Sequence, residues 1–257
     1  MSQKSNHPYS DPYFVILHGL DGSPAGHWQI WLAAELKGRG CKVLAPDLSH
    51  KSRPDLGEWL GELHHILKSA GRGAVVVAHS LGALSWLYYA SKPEAVRVSR
   101  VLLVAPPGGC DIDQTGRVLG RTRLRFDRRR IHAAADQVLL VGSGNDPLCA
   151  ESFITEYALP LALPFLKLSD EARHVNIESG YGPWPFALEW CLQTEENIRS
   201  QAGPALFCVA QLSVRNESRG SRLRIRPVSA PHQERHGDRR RRGVSGDQFH
   251  PPGHPDR

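Results

Sequence analysis

Ala74-Val75-Val76-Val77-Ala78-His79-Ser80-Leu81-Gly82-Ala83 decides how this chain is read. Its β-forming run ends in a small residue, a His, a Ser, one free position and a Gly. A helix-favouring segment, Ala83-Leu84-Ser85-Trp86-Leu87-Tyr88-Tyr89-Ala90, follows at once. That order describes a sharp strand-to-helix turn that lifts the Ser80 hydroxyl above a sheet, the geometry of a nucleophile elbow. Small residues are needed two positions before and after the serine, because the turn brings two backbones together. Ala78 and Gly82 stand there, and Ala78 departs from the usual Gly by one methyl group.

Outward from this turn the chain alternates strand and helix. Tyr13–Leu17, Val101–Ala105 and Val138–Val141 are apolar runs suited to strands buried on both faces, and Lys42–Ala45 and Phe165–Leu168 read as further short strands. Between them, Trp28–Leu36 reads as a helix stopped by Gly38 and Gly40. Asp55–Ser69 carries Leu56, Trp59, Leu60, Leu63, Ile66 and Leu67 at helical spacing, with Asp55 as N-cap and Gly71 just past the end. Residues 150–159 and Pro185–Arg199 read as two later helices. The expected architecture is α/β: a mostly parallel central sheet covered by helices on both faces. The expected organisation is an N-terminal tail at 1–11, one domain at 12–202 and a disordered extension at 203–257. Within the domain, residues 110–136 are rich in Arg and poor in apolar positions, and read as a solvated insertion.

Composition removes several function classes. The net charge of +6 suggests nucleic acid until it is located. Residues 203–257 hold eleven Arg and five acidic residues, whereas residues 1–202 balance at 21 basic and 21 acidic. The basic character therefore belongs to the tail, including Arg239-Arg240-Arg241-Arg242, and nucleic acid is not expected as a partner of the domain. Five Cys, with no Cys-x-x-Cys pair, argue against a disulfide framework or zinc site and for a reducing compartment. Residues 1–11 are polar and lack the apolar core of a signal peptide, and no apolar run reaches the ~18 residues of a membrane span. The expectation is a cytoplasmic protein without cofactor or metal that acts on a small-molecule acyl substrate.

An elbow serine needs a base, and the base needs an acid to orient it. On this kind of sheet the chain order is serine, acid, histidine, with the site at the carboxyl ends of the strands. Asp146 follows the Val138–Val141 strand in the turn Gly142-Ser143-Gly144-Asn145-Asp146-Pro147. His174 follows the Phe165–Leu168 strand. Asp111 and Asp113 compete from the end of an earlier strand. Asp136 lies at the wrong end of its strand, and His132 violates the order. Backbone N–H groups of Leu81 and Leu20, with Asp21 as substitute, are the expected oxyanion donors. Trp28 and Trp184 are offered as lining of a partly apolar substrate pocket, although for Trp28, as for Trp31, core packing competes. His18 reads as a structural loop residue, and adjacent His64 and His65 do not make a metal pair.

At this point the chain resembles a known family. Val15-Ile16-Leu17-His18-Gly19, Gly26-His27-Trp28, Ala78-His79-Ser80-Leu81-Gly82, Val104-Ala105-Pro106-Pro107 and Ser143-Gly144-Asn145-Asp146-Pro147-Leu148-Cys149 look like the small serine hydrolases of the retinoblastoma-binding protein 9 / YdeN type. The most specific string is His174-Val175-Asn176-Ile177-Glu178-Ser179-Gly180-Tyr181-Gly182-Pro183-Trp184-Pro185. The resemblance spans residues 12–195. It implies an α/β-hydrolase fold without a large lid, and a catalytic triad of Ser80, Asp146 and His174 in a carboxylesterase-like enzyme. Two departures stand out: Arg173 where the family commonly has Gly, and the Arg-rich 110–136 connection. They keep open the alternative of a non-catalytic binding protein on a hydrolase scaffold.

Overall fold

The computed structural model describes residues 12–108, 110–112, 118–121, 125–149, 153–193 and 210–212. The strands are β1 (Tyr13–Leu17), β2 (Lys42–Leu44), β3 (Val75–His79), β4 (Val98–Val104), β5 (Cys110–Ile112), β6 (Val118–Arg121), β7 (Ala135–Gly142), β8 (Phe165–Leu168) and β9 (Ala210–Leu212). Between them lie α1 (Trp28–Gly38), α2 (Leu56–Ala70), α3 (Leu81–Ala90), α4 (Arg128–Ala134), α5 (Leu159–Leu161) and α6 (Pro185–Leu192). The main sheet has the order β2-β1-β3-β4-β7-β8-β9. Every pairing in it is parallel.

Period-two alternation splits the core between the two faces of this sheet. Val15, Leu17, Val76, Ala78, Val101 and Leu103 pack with α2 and α3 residues such as Trp59, Leu63, Leu84 and Leu87. Phe14, Ile16, Val75, Val77, Leu102 and Val104 face the opposite way, onto Trp28, Leu32 and Leu36 of α1 and Ala187 and Leu188 of α6. Helix α2 shows how the local sequence builds one such layer. The Asp55 side chain accepts the Glu58 N–H at 2.9 Å, and Gly71 follows the last turn. Trp59, Leu63 and Leu67, four residues apart, form the buried stripe.

Several elements differ from the sequence reading. Residues 110–136 are not one open insertion: β5 and β6 pair antiparallel. Helix α4 follows, with the Asp127 carboxylate accepting the Arg130 N–H at 3.1 Å and Ile131 and Ala134 buried. Within 150–159 the helix opens into a π-turn at Ile154–Ala158, where the Leu159 N–H reaches the Ile154 carbonyl. Pro160, which has no N–H to continue an i→i−4 ladder, stands at the junction with α5. In the stretch read as an extension, β9 pairs alongside β8. The remainder of 203–257, residues 1–11, Asp113, Arg117 and Arg123, and the expected end of the last helix at 194–199 lie outside the described residues. Among the described residues no helix is long and apolar enough to cross a membrane.

The order β2-β1-β3 places the second and third strands on opposite sides of the first. Loops leaving β1 and β3 therefore diverge, and a crevice opens at the carboxyl ends where the winding reverses. Ser80 stands there.

Candidate active site

Ser80 follows the last residue of β3 with φ 53° and ψ −123°, and its N–H is held by the Val104 carbonyl of β4 at 2.9 Å. For a residue with a Cβ this is a strained conformation. Its neighbours make it possible. A Cβ on Gly82 would lie 2.4 Å from the His18 carbonyl oxygen and 2.8 Å from that of Leu17, so only glycine lets α3 start against the end of β1. A Cβ on Gly19 would lie 2.8 Å from the Ser80 Cβ, so the loop after β1 also passes directly over the serine. Ala78 is different: its methyl group lies in the core beside Leu17 and Leu103, where it fills space instead of blocking a turn.

Ser80, His174 and Asp146 come together from three strand ends. The Ser80 Oγ lies 2.9 Å from His174 Nε2, and His174 Nδ1 lies 2.8 Å from Asp146 Oδ2 and 3.0 Å from Oδ1. An ionised carboxylate only accepts, so Nδ1 carries the imidazole proton and Nε2 is left to accept from the serine hydroxyl. All three residues are buried. The Leu148 N–H donates to Asp146 Oδ1 at 2.9 Å and fixes the carboxylate. The competing Asp136 sits at the amino end of β7, where it pairs with Arg97. His132 reaches the Leu161 carbonyl instead.

The expected oxyanion donors separate. Leu81 is the first residue of α3, and its N–H has no acceptor among the described residues, as the first turn of a helix requires. The Leu20 N–H is also without an acceptor among the described residues, whereas the Asp21 N–H is taken by the Lys51 carbonyl at 2.9 Å. Asp21 is therefore unavailable as the substitute donor. His18 ties this loop down: Nε2 accepts the Leu48 N–H at 3.0 Å, so Nδ1 donates to the Gly19 carbonyl at 2.7 Å.

Trp28 and Trp184 are corrected by their burial. Their rings meet edge to face at 5.0 Å inside the core and do not line an open pocket. Among the described residues, the large apolar side chains that face solvent near the site are Leu20, Leu148 and Ile177, which are 45%, 51% and 42% exposed. Leu148 and Ile177 lie two and three residues after Asp146 and His174, and Leu20 directly follows Gly19, which passes over Ser80.

Sequence reasoning missed what holds the histidine loop. His79 Nε2 donates to the His174 carbonyl at 3.0 Å, Trp28 Nε1 to that of Val175 at 2.9 Å, and Ser143 Oγ to that of Arg173 at 2.6 Å. The string after His174 then closes on itself. Asn176 and Ser179 form a capping box around a 3₁₀ turn, and the Tyr181 N–H returns to the Asn176 carbonyl at 2.9 Å. Behind the imidazole, the rings of His79 and His27 follow at centroid spacings of 5.0 Å each. Burial, then the nearby His174, pushes His27 down to about 4 and His79 well below its ordinary value. Both therefore stay neutral behind the site. No group of three or more His, Cys, Asp or Glu among the described residues is arranged to hold a metal ion.

A family model described as serine hydrolase matches residues 14–192. The hydrolase YdeN of Bacillus subtilis is 26% identical over 145 residues, 56% of this chain and 75% of YdeN. The solved structure of the ydeN gene product superposes with a TM-score of 0.59 at 22% identity, over 70% of this chain and 96% of that one. A YdeN-like hydrolase from Pectobacterium atrosepticum gives a TM-score of 0.53 at 22% identity, over 73% and 92%. Both structures share the α/β-hydrolase architecture.

Proposed function

This chain belongs to the serine hydrolase family, and we propose that it cleaves small ester, thioester or amide substrates through Ser80, His174 and Asp146. The observation that carries this reading is the continuous contact from Ser80 Oγ to His174 Nε2 at 2.9 Å and from His174 Nδ1 to the Asp146 carboxylate at 2.8 Å. Ser80 Oγ attacks the carbonyl carbon while His174 Nε2 takes its proton. Asp146 holds the tautomer and stabilises the imidazolium that forms. The tetrahedral oxyanion is met by the Leu81 and Leu20 N–H groups. The imidazolium returns its proton to the leaving alcohol, thiol or amine. Water then repeats the sequence on the acyl-enzyme and frees the acid and Ser80.

Exposed Leu20, Leu148 and Ile177 favour an apolar acyl or alcohol group lying across an open rim. Five Cys without a Cys-x-x-Cys pair accord with a reducing compartment such as the cytoplasm. The test is a fluorophosphonate probe with a parallel series of p-nitrophenyl esters of increasing chain length. Stoichiometric labelling of the native chain and none of Ser80→Ala is expected. No labelling and no ester turnover by the native chain would refute the reading.

A further inference from the structure

We propose that Trp28, His79 and Ser143 are positioning residues that hold the His174 backbone, and through it the imidazole, against Ser80. This rests on the hydrolase reading above. Three consecutive carbonyls, those of Arg173, His174 and Val175, each accept a side-chain donor from a different element. Arg173 and Val175, on either side of the histidine, have φ of 43° and 53°, which residues with a Cβ rarely adopt. A loop in that conformation relaxes unless its surroundings over-determine it. The three donors supply that restraint.

Where the donors come from gives them a role beyond stability. His79 directly precedes Ser80. Ser143 stands three residues before Asp146. Trp28 opens α1, at the far end of the loop that carries Leu20. Each carbonyl is thus tied to the element that presents the nucleophile, the acid or an oxyanion donor, so a shift of any one element carries the histidine with it. His79 can act only with its proton on Nε2, because the His174 carbonyl offers nothing but lone pairs. Burial of its ring between His27, Trp28 and His174 keeps that neutral form. Trp28 and His79 span 147 and 95 residues of chain to their acceptors.

The test compares second-order fluorophosphonate labelling rates of the native chain with those of His79→Leu, His79→Gln, Trp28→Phe and Ser143→Ala. Thermal unfolding is followed in parallel so that only folded protein is compared. A misplacement of ~1 Å at a reacting group costs on the order of 100-fold. The expected loss for His79→Leu, Trp28→Phe and Ser143→Ala is therefore about 10- to 100-fold. His79→Gln, which returns an N–H donor near the Nε2 position, is expected to restore most of the rate. Ester assays on the same variants should place the loss in kcat and leave KM nearly unchanged. If the folded variants label at the native rate, or if His79→Gln is as slow as His79→Leu, the positioning role is wrong. Should His79→Leu not fold, the Trp28→Phe and Ser143→Ala rates decide. Absence of labelling in the native chain overturns the hydrolase reading and this one with it.

Discussion

Replacing Arg173 by glycine should stabilise the protein, although glycine ordinarily weakens a fold. Arg173 has φ 43° and ψ −119°, the conformation of the first central residue of a type II′ turn, where glycine is the usual occupant. Holding a residue with a Cβ there costs about 1–3 kcal/mol. Glycine removes that strain but gives the unfolded chain more freedom, worth about 0.5–1 kcal/mol. The Arg173 residue is exposed, and no hydrogen bond or ion pair of its guanidinium with the described residues is seen, so its removal adds little. The backbone carbonyl held by Ser143 Oγ is kept in the variant. The net expectation is a gain of about 1 kcal/mol, or roughly 2–4 °C in Tm for a chain of this size. Arg173→Ala serves as the control: it removes the same charge, keeps the Cβ, and should stay within about 0.5 kcal/mol of the native protein. Urea and thermal unfolding at neutral pH measure both. If Arg173→Gly unfolds at a lower temperature than Arg173→Ala, strain at this position is not what sets its stability, and the reasoning fails. The same comparison explains the sequence departure beside the histidine. Arginine stands in a glycine conformation, with its charge directed to solvent.

Three further outcomes follow from the same geometry. Gly82→Ala places a Cβ 2.4 Å from the His18 carbonyl oxygen. It should cost about 1–3 kcal/mol in urea unfolding and slow probe labelling, and a native-like variant would contradict the close approach. Asp146→Asn should leave folding nearly intact but lower the labelling rate by about 10⁴-fold, because the amide favours the wrong imidazole tautomer; an unchanged rate would remove Asp146 from the triad. His27 is held at about 4 against an ordinary 6.5, so its contribution to stability is complete above pH 6.5 and is lost as pH falls from 6.5 toward 4. His27→Asn keeps an acceptor for the Gln29 N–H and should flatten that part of the urea-midpoint profile. An equally steep fall in His27→Asn would mean that other groups cause it.

What the chain itself determined is local. Val75–Ala78 alternates between two cores because successive side chains in a strand point oppositely, and that is written in the residues. Asp55 and Gly71 bound α2 through hydrogen bonds and turns made within a few residues. That Ser80, Asp146 and His174 come together was legible because each follows a strand, in the order a nucleophile, an acid and a base would take on such a sheet. The tertiary structure decided what depends on distant partners. Trp28 looked like pocket lining, but packing of α1 against α6 buries it and turns its N–H onto Val175. The sequence offers Leu20 with Asp21 as substitute, and it is the Lys51 carbonyl, which takes the Asp21 N–H, that removes the substitute. The sequence assigns His79 no role in the elbow, and only the tertiary fold sets its Nε2 3.0 Å from the His174 carbonyl, 95 residues away. Such contacts arise from how strands are ordered across the sheet, and no local period or turn preference encodes that order.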